Sequence, residues 1–307
     1  MAIGNLVVQA GPVGASPAGS PLMAIGNLLD RQNPDGGWPY VRGGSWVEPT
    51  VYSVLALLSA GEIGPARCGL AWIRSVRRSD GGWAPRADID ESTWVTALVA
   101  LLPPEHLGEA FHQSAIAWLL DTQGRETTTL YRIREWLLGN PDTPDRHFPG
   151  WPWVPGTAAW VGPTCLAILA LAKHHQRRPS AAARGRIEKG QTFLLRHMCA
   201  GGGWNHGGVN ALGYASRPYP ETTGMALAAL RGATSPKIDL SLAVAREFLR
   251  QCRSADASNW LRLGLRAHGQ LPVEYCPPPG LSCRTVPETS LHLALAAADR
   301  GRGIFGV

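Results

Sequence analysis

A repeated helix-length pattern constrains the fold of this chain more than any other feature. Its clearest copy is WVEPTVYSVLALL, beginning at Trp46, and weaker copies begin at Asp90, Trp160, Tyr219 and Val286. Each copy is almost wholly apolar after its first few residues. One helical unit is therefore predicted to recur at least five times, as in a repeat protein.

Most copies open with an acid, then any residue, then Thr or Ser. An acid suits the first turn of a helix, where free N–H groups and the positive end of the dipole lie. The third copy has Gly162 in place of the acid. The pairs in the other copies are Glu48 with Thr50, Glu91 with Thr93, Glu221 with Thr223, and Glu288 with Ser290.

A second, amphipathic helix precedes several of these runs and ends in a Gly-Gly-Trp element, whose tryptophans are Trp38, Trp83 and Trp204. Glycine is expected to end the amphipathic helix, and tryptophan to fill the seam between helix pairs. Alternating amphipathic and apolar helices predict an all-α fold, an α/α toroid of five or six hairpins with the apolar helices inside. We expect a disordered N-terminal extension over residues 1–20 and a single toroid domain over residues 21–307. The sequence MAIGNL occurs at residues 1–6 and again at 23–28, so Met1 and Met23 both remain candidate starts.

Composition narrows the function classes. The formal net charge is +6, but the arginines are scattered and not interleaved with aromatic residues, which disfavours nucleic acid as a partner. The six cysteines lie mostly in apolar runs and predict no disulfide framework. Residues 1–22 have neither a basic n-region nor a long apolar segment, so they match neither a signal peptide nor a membrane span, and we expect a cytoplasmic protein. Contact with an anionic membrane surface stays open.

The segment from Gln32 to Trp38 resembles the QW repeat of squalene–hopene and oxidosqualene cyclases, and weaker versions surround Trp83, Trp204 and Trp260. Protein prenyltransferase β subunits have the same α/α toroid. The resemblance implies proton-initiated cyclisation or isomerisation of a linear isoprenoid in an apolar cavity. The chain has the length of one barrel, so the resemblance leaves room for a second barrel from another chain or for a homodimer.

The cyclases protonate their substrate with a DxDD segment, whose nearest match here is Asp88-Ile89-Asp90-Glu91. Aligned on the acids, the resemblance implies that Asp90 is the proton donor, with Asp88 as a neighbouring charge. Glu91 stands where the acids of the other repeats stand, so it is expected to be the partner of Asp90 and a helix cap. Glu91 stands where the family has its last Asp. Aligned on the following Thr instead, Glu91 becomes the donor.

Inner-helix starts that gather at one mouth would bring further acids and aromatic rings together. Crowded carboxylates raise one another's pKa, and aromatic faces can stabilise a cation. The alternative is that the acids cap helices and the rings fill a closed core. The predicted substrate-binding residues are Glu48, Trp46, Tyr52, Trp94, Trp160, Glu221 and Glu288.

No cofactor and no metal are predicted. The arrangement of His268, Cys276, Cys283 and His292 has irregular spacing and lacks a CxxC pair, so we interpret these residues as parts of loops and helices. The proline-rich loop 139–159 is expected to act as a lid, with Trp151 and Trp153 on an apolar surface.

Three functions fit these patterns. The first is an isoprenoid cyclase-like enzyme acting on a linear isoprenoid or another apolar small molecule. The second is a non-catalytic toroid that binds a lipid or a protein. The third is a polysaccharide-active toroid enzyme. A deep apolar cavity would favour the first, a filled centre the second, and an open groove lined by charged residues the third.

Overall fold

A closed ring of helices forms the centre of the molecule. A computed structural model describes residues 21–138, 147–207, 210–211, 214–271 and 281–298. Within these residues, each inner helix packs on the next and the last packs on the first. In ring order, with helices numbered along the chain, they are α2 (Val47–Ala60), α4 (Val95–Ala100), α8 (Val161–Arg177), α10 (Pro220–Ala229), α12 (Ala255–Ala267) and α13 (Val286–Ala298).

A second layer of helices surrounds this ring. Its members are α1 (Pro21–Asp30), α3 (Ile63–Ser75), α5 (Pro104–Leu107), α6 (Glu109–Asp121), α9 (Ala181–Arg196) and α11 (Pro236–Gln251). They pack against the inner helices, except for the short α5, which packs on its outer neighbours α3 and α6. Helix α7 (Thr129–Leu137) packs on the short 3-10 helix Arg125–Thr127 that precedes it. Two antiparallel hairpins complete the described structure: β1 (Trp151–Pro152) pairs with β2 (Ala159–Trp160), and β3 (Asn210–Ala211) with β4 (Tyr214–Ala215).

The apolar runs lie inside, as their composition predicts. Leu55, Leu98, Leu169 and Leu227, one from each of four inner helices, are 1%, 0%, 3% and 0% exposed. The prediction of an all-α toroid with the apolar helices inside is therefore confirmed. Below the first helical turns, the ring is closely packed at these four positions.

Glycine allows one pair of inner helices to approach very closely. A Cβ atom on Gly224 of α10 would lie 2.3 Å from the carbonyl carbon of Trp260 on α12, and one on Gly264 would lie 2.5 Å from the Gly224 carbonyl oxygen. The two backbones are thus in direct contact, which only glycine permits. Trp260 lies within the inner helix α12, so the weaker QW-like segment around it differs in position from those of Trp38, Trp83 and Trp204.

The predicted lid is also partly wrong. Trp151 is 2% exposed and belongs to the core, while Trp153 is half-buried beside α4. Residues 150–160 therefore form a hairpin that leads into α8. Residues 139–146 of this loop lie outside the described residues, as do 1–20, 208–209, 212–213, 272–280 and 299–307. The predicted domain bounds stay a prediction.

Candidate active site

Buried tryptophans fix where the inner helices begin. The indole N–H of Trp38 donates to the carbonyl of Leu28 in an outer helix, at 2.7 Å, and its main-chain N–H donates to Thr50 Oγ1 in an inner helix, at 2.8 Å. The same two bonds recur three times: from Trp83 to Ile73 and Thr96, from Trp151 to Leu119 and Thr164, and from Trp204 to Leu194 and Thr223. Because buried polar groups require partners, this brace holds four of the inner helices, α2, α4, α8 and α10, in register with their outer helices. The Gly-Gly-Trp elements are therefore architectural.

The brace corrects the register of the second repeat. Its threonine is Thr96 and not Thr93, whose main-chain N–H donates to the Trp83 carbonyl at 2.9 Å. The matching main-chain bond in the first repeat comes from Trp46. The segment between the two bonds is one residue shorter in the second repeat, Thr93 to Thr96 against Trp46 to Thr50. Glu91 consequently lies in the loop before α4 and is not equivalent to Glu48.

The acidic cluster carried by that loop is on the surface. Asp90 is fully exposed and lies 3.7 Å from the Arg78 guanidinium, and Asp88 forms an exposed ion pair of 2.8 Å with Arg86. Glu91 is exposed as well. A carboxyl that protonates an alkene needs burial or crowding by other acids, and these three have neither. The expected shielded surroundings of Asp90 are therefore not found, and its role as proton donor rests on the resemblance alone.

Glu48, in the first turn of α2, has the shielded surroundings, with another acid nearby, that were predicted for Asp90. It is half-buried, and the Tyr40 hydroxyl donates a hydrogen bond to its carboxylate. Burial raises the pKa of Glu48 to about 7, the Tyr40 hydrogen bond opposes this shift, and the charge of Asp256 adds to it. The residue thus exchanges a proton near neutral pH. Glu48 also stands in the first turn of α2, where the helix dipole favours an acid, so the helix-stabilising alternative stays compatible with its position.

Asp256, in the first turn of α12, is the second acid of the site. Burial raises its pKa to about 6, with further contributions from Glu221 and Glu288. The sequence analysis missed this residue, because Asn259 and Arg262 make its helix look amphipathic rather than inner. The available signal was Ser254, which accepts a hydrogen bond from the Ala257 N–H and marks the helix start.

The other predicted acids differ in role. Glu288 accepts main-chain hydrogen bonds from Arg284 at 2.5 Å and Thr285 at 3.0 Å, so it caps the start of α13 as the structural alternative proposed. Glu221, in the first turn of α10, is half-buried and raises the pKa of Asp256 through its charge. Acids from four inner helices therefore converge at one mouth of the ring, which we call the acidic mouth: Glu48, Glu221, Asp256 and Glu288.

Aromatic rings border the acidic mouth, because the residues just before or at the inner-helix starts are aromatic. Trp46 contacts Tyr40 edge to face at 5.4 Å, and the Arg86 guanidinium lies 5.1 Å above the Trp46 ring. Trp160 and Tyr219 are 39% and 47% exposed. Their rings are available to a ligand at this mouth.

Two more of the predicted rings are less available. Trp94 packs edge to face on Trp153, with ring centroids 5.0 Å apart. Tyr52 is buried one turn below Glu48, and its pKa is raised well above the ordinary value, first by burial and then by the charges of Glu48 and Asp256. Tyr52 therefore belongs to the floor of the acidic mouth.

Within the described part of the chain, no group of three or more histidines, cysteines or acids is arranged to hold a metal ion. His268 bonds the Leu227 carbonyl at 2.9 Å, and Cys276 lies outside the described residues. Cys165, Cys199 and Cys252 are buried thiols as expected, whereas Cys68 is exposed. In the described residues, no helix is both long and apolar enough to cross a bilayer.

Comparison with known proteins gives similarity at the level of fold. No protein-family model and no curated relative matches the sequence. A GH8 endo-β-1,4-glucanase from an Achatina fulica gut metagenomic library matches with a TM-score of 0.58 and 16% identity, over 90% of this chain and 98% of that one. The endo-β-1,4-glucanase CMCax from Acetobacter xylinum matches with a TM-score of 0.56 and 14% identity, over 92% and 99%.

A type II terpene cyclase from Scytonema has a TM-score of 0.41 at 14% identity, over 91% of this chain and 96% of that one. That TM-score is too low to support any inference about activity. The two glucanase matches, at 16% and 14% identity, support an inference about the fold alone. The comparisons place the chain among α/α toroid proteins and do not extend to the squalene–hopene cyclase family.

Proposed function

We propose that this protein hydrolyses glycosidic bonds of a polysaccharide at the acidic mouth. The observation that carries the proposal is the pair Glu48 and Asp256, two shielded carboxyls with pKa values of about 7 and about 6. Glycoside hydrolysis requires one carboxyl that is protonated and one that is ionised at the working pH. Environments that separate two pKa values provide that division of roles.

In this mechanism Glu48 is the general acid. Its proton passes to the oxygen of the leaving sugar, and Tyr40, which donates to Glu48, stabilises the carboxylate that remains. Asp256 is ionised above a pH of about 6 and serves as the base or nucleophile on the other side of the bond. Glu221 and Glu288 keep the local charge negative, which also favours a positively charged transition state at the sugar ring.

The surroundings of the acids support an open site over a deep one. Trp160 and Tyr219 present exposed rings at the mouth. Each side chain combines an apolar ring face with a polar O–H or N–H group, and this combination suits stacking on a sugar ring. Below them the inner helices are packed, with Val51 and Leu55 at 0% and 1% exposure. A long apolar chain would find no open cavity among these residues. The two fold relatives above are endo-β-1,4-glucanases, so soluble β-1,4-glucans are the first substrates to test.

The test measures release of reducing ends from carboxymethylcellulose, xylan and mixed-linkage glucan. We expect Glu48→Gln and Asp256→Asn each to lower kcat by about a hundredfold or more, the usual scale for general acid–base catalysis. Activity should rise through a pH of about 6 as Asp256 ionises and fall through about 7 as Glu48 loses its proton. Glu91→Gln, in the exposed loop, is the matched control and should keep full activity. Absence of turnover on every glycan, or full activity in Glu48→Gln, would refute the proposal.

The second candidate is conversion of a linear isoprenoid. The observation that favours it is α7, whose apolar side chains face solvent: Leu130 and Trp136 are 80% and 68% exposed. A lipophilic substrate could reach the site from such a surface. In this case the sequence-predicted roles of Asp90, Glu91 and Asp88 remain to be tested. Loss of polyprenyl conversion in Asp90→Asn, with Glu48→Gln unaffected, would support the cyclase function over the glycan function.

A further inference from the structure

Helix α7 has an apolar face that points away from the protein. Leu130, Ile133 and Leu137 recur at helical spacing along one side and are 80%, 51% and 70% exposed, and the neighbouring Trp136 is 68% exposed. Leu138, just after the helix, is 60% exposed. An amphipathic helix in a water-soluble protein normally turns its apolar stripe toward the core. In α7 the apolar stripe faces solvent instead.

The helix is nevertheless well formed. Thr128 provides the N-cap, its hydroxyl accepting a bond from the Tyr131 N–H at 3.4 Å. The half-buried Tyr131 lies under the guanidinium groups of Arg125 and Arg134, 5.6 and 5.9 Å from its ring centroid. Tyrosine and basic side chains thus flank the exposed apolar face.

From this arrangement we propose that α7 docks the protein on the surface of an anionic lipid bilayer. A helix with leucine, isoleucine and tryptophan on one face and arginine beside it lies in the membrane interface, with its apolar face buried at the boundary between headgroups and acyl chains. Arg125 and Arg134 would then meet lipid headgroups. The net charge of +6 adds attraction to a negative surface.

A second copy of the chain is a poorer occupant of this face. A stable protein interface needs roughly 800 Å² and some 20–30 residues from each partner. A nine-residue helix that packs on the 3-10 helix beside it supplies much less. A lipid surface has no such requirement, because insertion of a few apolar side chains with electrostatic attraction is enough for reversible binding.

Docking through α7 would also orient the acidic mouth. The 3-10 helix under α7 is tied to the hairpin that leads to Trp160: the Arg125 N–H donates to the Thr157 carbonyl at 2.9 Å, and Glu126 accepts from the Ala159 N–H at 2.7 Å. The mouth would therefore lie close to the membrane surface. The docking proposal stands independently of the reaction proposed above.

The test is co-sedimentation of the full chain with phosphatidylcholine vesicles that contain about one third phosphatidylglycerol, compared with pure phosphatidylcholine. We expect stronger binding to the anionic vesicles. The double variant Ile133→Ser, Leu137→Ser should lower the partition coefficient about tenfold or more, because both side chains insert in the bound state. Leu22→Ser on α1 removes a side chain that is 79% exposed and should leave binding unchanged. Since all three side chains are exposed, the variants should keep the wild-type circular dichroism spectrum and Tm.

Three outcomes would overturn the proposal. Equal binding by the wild type and the double variant would mean that α7 is not the contact. Equal binding to neutral and anionic vesicles would show that negative lipid charge plays no part in the binding, contrary to the proposal. A dimer in sedimentation velocity without lipid, lost in the double variant, would identify a second copy as the occupant of this face.

Discussion

Replacing Glu48 by glutamine should make the protein more stable at alkaline pH and should also remove the glycan hydrolysis proposed above. The folded-state pKa of Glu48 is about 7, against an ordinary value of 4.5. The folded protein therefore binds a proton between these values that the unfolded chain has released. The stability that this bound proton contributes is fully present below a pH of about 4.5. It is lost as the pH rises through about 7, the folded-state pKa.

The size of this loss follows from the two pKa values. A difference of about 2.5 in pKa, at about 1.36 kcal/mol for each pKa unit, corresponds to about 3 kcal/mol. This is the upper end of the effect, since the carboxyl is only half-buried and keeps some contact with water. Glutamine does not ionise and so loses nothing over the same range.

Urea denaturation at several pH values between 5 and 8.5 measures the effect directly. The free energy of unfolding of Glu48→Gln minus that of the wild type should grow by up to about 2.5 kcal/mol across this range, because part of the effect falls below pH 5. The exposed Glu91→Gln variant should follow the wild type at every pH. A difference between Glu48→Gln and the wild type that stays flat with pH would refute the assignment of Glu48 as a shielded acid.

Three further predictions concern the frame. Thr50→Val leaves a buried tryptophan N–H without an acceptor and should cost about 1–3 kcal/mol in urea denaturation. Gly224→Ala should lower the free energy of unfolding by more than the roughly 1–3 kcal/mol usual for an overpacked core, because its Cβ would lie 2.3 Å from the Trp260 backbone. Its control is Gly185→Ala in helix α9, which has open space around it and should raise the free energy of unfolding by about 0.5–1 kcal/mol. Burial, followed by the charge of the stacked His174, lowers the pKa of His112 from 6.5 to about 4. The contribution of His112 to the free energy of unfolding should therefore fall by up to about 2.5 kcal/mol as the pH drops from 6.5 to 4, and His112→Gln should remove this part of the pH dependence.

The fold was largely predictable because it depends on local patterns. A wholly apolar run such as that of α2 can only be buried on all sides, and the alternation with amphipathic helices then requires two layers. The braces were not predictable in full. Trp151 makes the same two hydrogen bonds as Trp38, but it follows Pro149 and Gly150 instead of two glycines. The local sequence therefore does not identify Trp151 as one of the bracing tryptophans.

The site was less predictable because a carboxyl's pKa depends on burial and on neighbours from other repeats. The richest acidic cluster, around Asp90, lies on the surface, where arginines pair with it. Glu48 looked like one helix acid among several, and Asp256 belonged to no visible repeat. Their shared feature is burial next to acids from other inner helices: Asp256 beside Glu48, and Glu221 and Glu288 beside Asp256. That arrangement arises from tertiary structure.

Ring closure is what creates this pair. Glu48 belongs to the first inner helix and Asp256 to the fifth, and α13 lies between their helices in the ring. That last helix is held by the bond from the Val286 N–H to the Tyr40 carbonyl at 2.8 Å and by the buried contact of Ser53 with Ser290 at 3.2 Å. Tyr40 therefore takes part in both the closure and the hydrogen bond to Glu48. Opening the seam would hydrate the acids and return their pKa values toward the ordinary range, so the same contacts that complete the fold also set the protonation states on which the proposed chemistry depends.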